Sequence, residues 1–201
     1  MANMVKVTRD GWIEAAKTAL IEDGLAGTKV DRLAKQLGVS RGGFYHNFGG
    51  HDDILKALLS HWVKSNAFLP DPIKLRSPAD SVEFLDRIMA RLILEEEFSP
   101  KFEIAIREWG RIDQGVLSLI EEVDEKRIAG FIPVFIALGC DENEAITRSK
   151  VLYYHQMGYY LLGHHQKETK EERLAGTAIY MRILCGRRFL EAASEAGKRW
   201  L

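Results

Sequence analysis

An all-α fold is predicted by three observations. Apolar residues recur at helical spacing through nearly the whole chain, no segment alternates with the period of a strand, and cap or stop residues bracket the periodic runs. The same pattern divides the chain into a short N-terminal three-helix bundle containing a helix-turn-helix, over residues 6–66, and a larger helical domain over residues 78–201. Roughly nine or ten helices are expected from these runs.

Composition narrows the class. The chain has 201 residues, 46% hydrophobic and 28% charged, enough apolar surface for a sizeable core and too much for disorder. Five Pro, 17 aperiodic Gly and two Cys exclude collagen, low-complexity linkers and disulfide scaffolds. Cys140 and Cys185 fit no metal-ligand spacing, and free thiols suit a reducing, cytoplasmic setting. No apolar run approaches the roughly 18 residues of a membrane span, and Met1 to Asp10 lacks the apolar core of a signal peptide. The formal net charge of −1 does not by itself suggest a nucleic-acid binder. It hides an asymmetry: residues 1–66 hold nine Lys/Arg against seven Asp/Glu, while the remainder is net acidic.

The elements follow in order. Trp12, Ile13, Ala16, Ala19 and Leu20 mark the first helix, capped by Thr8 and stopped at Gly24. Val30, Leu33, Ala34 and Leu37 mark a short second helix, with Thr28 expected as its N-cap and Gly38 as its stop. Ser40 is expected to cap a third helix bearing Phe44 and Phe48 on one side. Ile54, Leu55, Leu58, Leu59 and Trp62 make a fourth. Pro70, Pro72 and Pro78 then break the pattern and place the domain boundary. Val82, Leu85, Ile88, Met89 and Leu92 form the next helix. Ser99-Pro100 opens another, with Phe102, Ile106 and Trp109 on one face. A long helix over about 116–138 contains Pro133, which is expected to kink it because proline cannot donate to the carbonyl of residue 129. A turn over 139–143 leads to a helix over about 144–165, and Thr169 to Glu172 has the form of a capping box opening the last one.

The stretch from Thr28 to His51 carries the function. A tight crossing of two helices needs a small residue in the first, and Ala34 supplies it. The turn needs a residue that accepts positive φ, and Gly38 supplies that. Val39 plugs the angle between the helices, and Ser40 starts the second, whose N-terminal end is the part a DNA reader inserts into the major groove.

Ala34, Gly38-Val39-Ser40, Phe44-Tyr45 and Phe48, framed by an apolar helix before and Asp52-Asp53-Ile54-Leu55 after, resemble the DNA-binding domain of the TetR family of bacterial transcriptional regulators. The resemblance covers residues 6–66, with the motif at about 29–48. It implies a homodimeric, Ω-shaped repressor that binds operator DNA and is released by a small-molecule effector held in the C-terminal domain. It also implies no cofactor and no enzymatic activity. Carried over by position, Arg41, Gly42 and Gly43 stand where the family meets base edges. Arg41 can fork onto guanine O6 and N7, whereas the glycines permit close approach. Lys29, Tyr45 and Asn47 stand at phosphate positions, with Thr28 offering a hydroxyl there and His46 a further contact. Where the family often carries Lys this chain has His51, a pH-dependent phosphate partner.

The effector site is expected among large groups of the middle helices: Phe102, Trp109, Phe131, Tyr153 and Met157, with Arg107 and His155 to orient a polar group. The dimer is expected from the helices over about 144–165 and 170–185, where Leu174, Ala178, Met181 and Cys185 form a stripe. A rival reading, an all-α enzyme, would gather Glu103, Arg107 and His155 into one polar site. A second rival is a helical ligand-binding adaptor that does not bind DNA. No nucleophile motif, phosphate loop or zinc motif supports an enzyme, and the adjacent His164 and His165 point about 100° apart on a helix, unsuited to one metal.

Overall fold

The computed structural model describes residues 7–69, 75–96 and 98–195. Pro70 and Pro72 of the expected boundary lie outside them. The described residues form ten α-helices and no strand. They group into two compact units, one made of the residues to Asn66 with Ser99–Ile120, the other of Ala67–Phe98 with the residues from Glu121 onward. No described helix is long and apolar enough to cross a membrane.

The first unit begins with α1 (Arg9–Asp23), capped by the Thr8 side chain, which accepts from the Gly11 N–H. Trp12, Ala16 and Leu20 are its buried face, and Gly24, at φ 65°, ends it. A 3-10 turn over Gly24–Thr28 lies so close to α1 that a Cβ on Gly27 would stand 2.6 Å from the Ala19 carbonyl oxygen. Then come α2 (Val30–Gln36), α3 (Arg41–Tyr45) and α4 (His51–Ser65). The 3-10 turn corrects one expectation: Thr28 belongs to that turn, and Lys29 occupies the N-cap of α2 without a side-chain cap bond.

The grouping also differs from a boundary near residue 70. Helix α6 (Pro100–Gly110), opened by the Ser99 cap and Pro100 as expected, belongs to the first unit together with the start of α7 (Gln114–Ala137). The reason is polar and local. Glu103 is 1% exposed, and its carboxylate accepts from Trp62 Nε1 (2.9 Å) and Asn66 Nδ2 (3.0 Å) on the α4 side. On its own helix it accepts from Arg107 Nε (3.0 Å) and Nη2 (2.8 Å). The Asn66 amide further joins the strand-like entry to α6, its carbonyl accepting from Ser99 N–H at 3.2 Å. A buried carboxylate survives only when paired and fully hydrogen-bonded, so α6 is tied to the end of α4. The pairing of Glu103 and Arg107 is therefore far more than surface helix support.

The second unit contains α5 (Pro78–Leu94), the rest of α7, α8 (Glu142–Leu161), α9 (Lys170–Cys185) and α10 (Arg187–Glu195). Its core gathers Phe68, Leu85, Leu92, Phe131, Phe135, Tyr153 and Phe189. Helix α7 continues through Pro133. Helix α8 stops at Leu161, earlier than expected, because Gly163 turns left-handed at φ 71°. The capping box is present: Thr169 accepts from Glu172 N–H and the Glu172 carboxylate from Thr169 N–H. Helix α10, whose Phe189, Ala192 and Ala193 are buried, had no boundary signal in the sequence beyond Gly186. Both cysteines are buried and free, and burial pushes the Cys185 thiol up to about 12.

Replacing Glu103 by Ala removes the buried acceptor that Trp62, Asn66 and Arg107 share. It should lower unfolding free energy by about 3 kcal/mol or more. Glu103→Gln, which keeps an acceptor oxygen, should cost less. Urea titration checks both, and a loss below about 1 kcal/mol for the alanine variant would show that the cluster does not hold the unit together.

Candidate nucleic-acid interface

The interface is built around the turn between α2 and α3. Gly38 takes φ 66°, and the Val39 N–H donates to the Ala34 carbonyl at 3.0 Å, folding the chain back over the small buried side chain of Ala34. Ser40 is the N-cap of α3 in extended conformation, but its hydroxyl makes no capping bond.

Helix α3 has five residues, two of them glycine. Such a helix has almost no stability of its own, and each interior glycine costs about 1 kcal/mol relative to alanine. Its position is imposed by Phe44, which is fully buried. The Phe44 ring stands edge-on to Trp12 at 5.4 Å and stacks on Phe48 at 5.2 Å. Arg9 completes the support. It donates to the Asn47 carbonyl at 2.5 Å, lies 4.2 Å over the Phe48 ring and reaches Asp53 at 3.5 Å. Nothing local in the sequence marks Arg9 for this role, because its partners lie 38 residues or more away.

With Phe44 turned inward, Arg41, Gly42, Gly43, Tyr45 and His46 are exposed, and Tyr45 is 61% exposed despite its aromatic ring. Lys29 is exposed at the start of α2. Asn47 is half-buried, and its Nδ2 donates to the Gly43 carbonyl at 2.8 Å. Arg41 lies 3.3 Å from Asp31 of α2, and Arg32 lies 3.8 Å from Asp23. Exposed pairs of this kind are worth about 0–1 kcal/mol, so a phosphate or a guanine edge can displace the carboxylate.

Two candidates are placed otherwise than expected. Thr28 is completely buried, so its hydroxyl is not presented to a phosphate. It donates to the Leu25 carbonyl at 2.8 Å and lies 3.0 Å from His51 Nε2. Its one proton being used, the hydroxyl accepts from the imidazole, which fixes the ring proton on Nε2. His51 is thus occupied on one side as a structural donor, and only Nδ1 remains for another partner.

The effector candidates divide between the units. Phe102 and Trp109 are buried on α6 in the first unit, beside the Glu103–Arg107 pair. Phe131, Tyr153 and Met157 belong to the core of the second. His155, also in the second unit, lines a cavity of about 280 Å³ among α5, α8 and α9. The Glu103, Arg107 and His155 of the enzyme reading are therefore not gathered in one unit. The cavity wall includes residues that sequence reasoning missed, Arg173, Tyr159 and Tyr180 among them. Loss of water contact lowers the His155 pKa and, with a hydrogen bond to Glu168, pushes the Tyr159 phenol up to about 12. Among the described residues no group of three or more His, Cys, Asp or Glu is arranged to hold a metal ion.

Residues 13–58, from Ile13 within α1 to Leu58 halfway along α4, match the family profile described as bacterial regulatory proteins, tetR family. Those 46 residues, under a quarter of the chain, are similar to the N-terminal domain of that family. Solved structures share the fold over almost the full length. A transcriptional regulator from Rhodococcus sp. Rha1 superposes with a TM-score of 0.60 at 20% identity, covering 94% of this chain and 97% of its own. A TetR-family regulator from Rhodococcus sp. gives 0.63 at 16% identity, over 89% and 98% of the two chains. One from Marinobacter aquaeolei VT8 gives 0.63 at 14% identity, over 93% and 98%. No curated protein sequence matches the chain. The matched residues include Trp12's neighbours on α1, the Thr28–His51 link and the whole of α2 and α3.

That link makes a prediction. Thr28→Val leaves the His51 Nε2–H facing a methyl group and should destabilise the fold by about 2–3 kcal/mol, while Thr28→Ser, which keeps the hydroxyl and loses one buried methyl, should cost only about 1 kcal/mol. Thermal or urea unfolding separates them, and equal stability of the Val and Ser variants would remove the hydroxyl's structural role.

Proposed function

We propose that this chain is a homodimeric repressor of the TetR family that reads a palindromic operator with α3 and leaves it when a small molecule binds the second unit. The observation that carries the reading is the exposed edge of α3. A five-residue helix pinned from behind by Phe44 offers Arg41 and Tyr45 to solvent, next to a turn of helix-turn-helix geometry. Arg41 reads guanine through O6 and N7 once it leaves Asp31. Gly42 and Gly43 let the backbone approach the base edges, and His46 lies on the same rim. Lys29, Tyr45 and Asn47 bond phosphates, and His51 joins them through Nδ1 when its ring is doubly protonated.

Dimerisation is supported by a surface no monomer needs. Val151, Tyr154 and Leu161 of α8, Leu162 just after it, and Ile179 and Ile183 of α9 are large apolar residues left exposed. Gly158 between them has open space where a Cβ would stand. A patch of this kind on two neighbouring helices fits a self-complementary four-helix contact. A two-fold reader also meets two half-sites one helical turn apart. The seam differs from the expected stripe, since Met181 and Cys185 point into the core and Leu174 outward. The cavity among α5, α8 and α9 supports the effector part of the reading. An effector releases DNA only by binding the non-operator state more tightly.

Three variants test the proposal. Arg41→Ala should weaken operator binding by about 1–3 kcal/mol and relax preference at one base pair per half-site. Tyr45→Phe should weaken all duplexes alike. Selection of bound duplexes from a random library, with titration at several salt concentrations, reads both effects. An unchanged selected site in Arg41→Ala would remove it from base recognition. Ile183→Glu should give a folded monomer with greatly reduced operator affinity, and a variant still dimeric in the ultracentrifuge would move the interface elsewhere.

A further inference from the structure

The cavity of the second unit holds a cation whose bonding is incomplete. Arg173 is 7% exposed and lines the cavity wall. Its Nη1 donates to the Ile93 carbonyl in a long bond of 3.4 Å, and the nearest carboxylate oxygen, Glu95 Oε1, stands 3.8 Å away. Its guanidinium lies 5.6 Å over the Tyr159 ring, and its Nη2 has no hydrogen-bond partner. The neighbouring hydroxyls satisfy it only in part: the Tyr160 hydroxyl donates to the Leu92 carbonyl and accepts from the Arg173 side chain, and the Thr177 hydroxyl donates to the Arg173 carbonyl. A guanidinium cannot shed its proton, so a buried one without a directly bonded carboxylate is an acceptor-seeking group.

The rest of the wall says what the acceptor is attached to. Met89, Ile93, Leu152 and Met181 supply aliphatic surface, and Tyr180 supplies a ring packed 4.8 Å from His155. Two carboxylates stand at the exposed side of the cavity, Glu168, which accepts from the Tyr159 hydroxyl, and Glu172, which is held by the capping box. With Arg173 as the one arginine or lysine lining the cavity, a ligand bringing two negative charges would meet those carboxylates with its second, whereas a single carboxylate on an apolar body finds a counter-charge and an apolar wall.

We infer that the effector cavity takes a small aromatic or aliphatic monocarboxylate, its carboxylate on Arg173 and its body against Met89, Leu152, Met181 and Tyr180. This rests on reading the cavity as the effector site and adds the class of effector. Arginine and carboxylate form a charge-assisted bond, stronger than the one a neutral carbonyl makes. The protein should therefore distinguish an acid from its amide.

The test uses the full chain and four phenyl-bearing probes of matched size: 3-phenylpropionate, its primary amide, the corresponding amine and phenylsuccinate. Isothermal titration should show the monocarboxylate binding on the order of tenfold or more tighter than the amide, the amine and the dicarboxylate. Arg173→Gln should abolish the difference between acid and amide. Because Arg173 also bonds the Ile93 carbonyl, a second variant leaves it intact. A Cβ at Gly176 would meet only the Tyr180 ring, at 3.9 Å, so Gly176→Leu should fill the cavity and remove binding of the acid while the fold persists. Equal affinity for acid and amide, no binding of the acid at millimolar concentration, or binding unaffected by Gly176→Leu would each overturn the inference. Operator titration of the unliganded protein tests the parent reading separately. A chain that binds the acid through Arg173 but never binds duplex DNA would keep this site and lose the regulator. A chain that binds its operator but ignores the acid would do the reverse.

Discussion

Phe44 inside the first unit is the contact on which the interface depends. A five-residue helix carrying Gly42 and Gly43 has no internal means of staying folded, so its direction is inherited from the ring that anchors it between Trp12 and Phe48. Everything on the exposed side follows from that anchor. With Phe44 inward, its neighbour Tyr45 turns outward, Arg41 lies exposed at the first position of the helix, and Arg9 braces the far end by gripping the Asn47 carbonyl. The glycines that weaken α3 also strip its surface to backbone, so the element worst at holding itself is the one best able to approach another surface closely.

Charge on this unit is better understood as paired than as summed. The slight basic excess of residues 1–66 is small, and Arg9, Arg32 and Arg41 each face a carboxylate. Those carboxylates belong to different elements from their arginines, so they orient long side chains as well as neutralise them. Holding Arg41 beside Asp31 removes part of its rotamer freedom before any partner arrives, at little enthalpic cost to exchange.

What could be seen in the sequence was what is encoded locally. Caps at Thr8, Ser99 and Thr169, the stop at Gly24 and the small residue at Ala34 act over three or four positions, and each stands where the spacing placed it. The misses involve distance or competing local geometry. Thr28 has the chemistry of an N-cap, but the close approach of Gly27 to α1 draws it into a 3-10 turn and buries it. Glu103 and Arg107 have the spacing of a surface pair, and nothing local reveals that Trp62 and Asn66 close over them. Arg173 sits just beyond a capping box, where a charged residue reads as an ordinary first-turn neighbour. Its role comes from α5, some 80 residues earlier.

The two thiols have a practical consequence. Cys140 and Cys185 are both buried, and the Cys185 thiol is pushed far from the ionised form that attacks maleimides and iodoacetamides. The native chain thus offers labelling reagents almost no reactive sulfur while folded. A cysteine placed at an exposed position such as Ser60 would be modified selectively without first removing the native pair. A fluorophore or spin label could then report on this protein in its wild-type core packing.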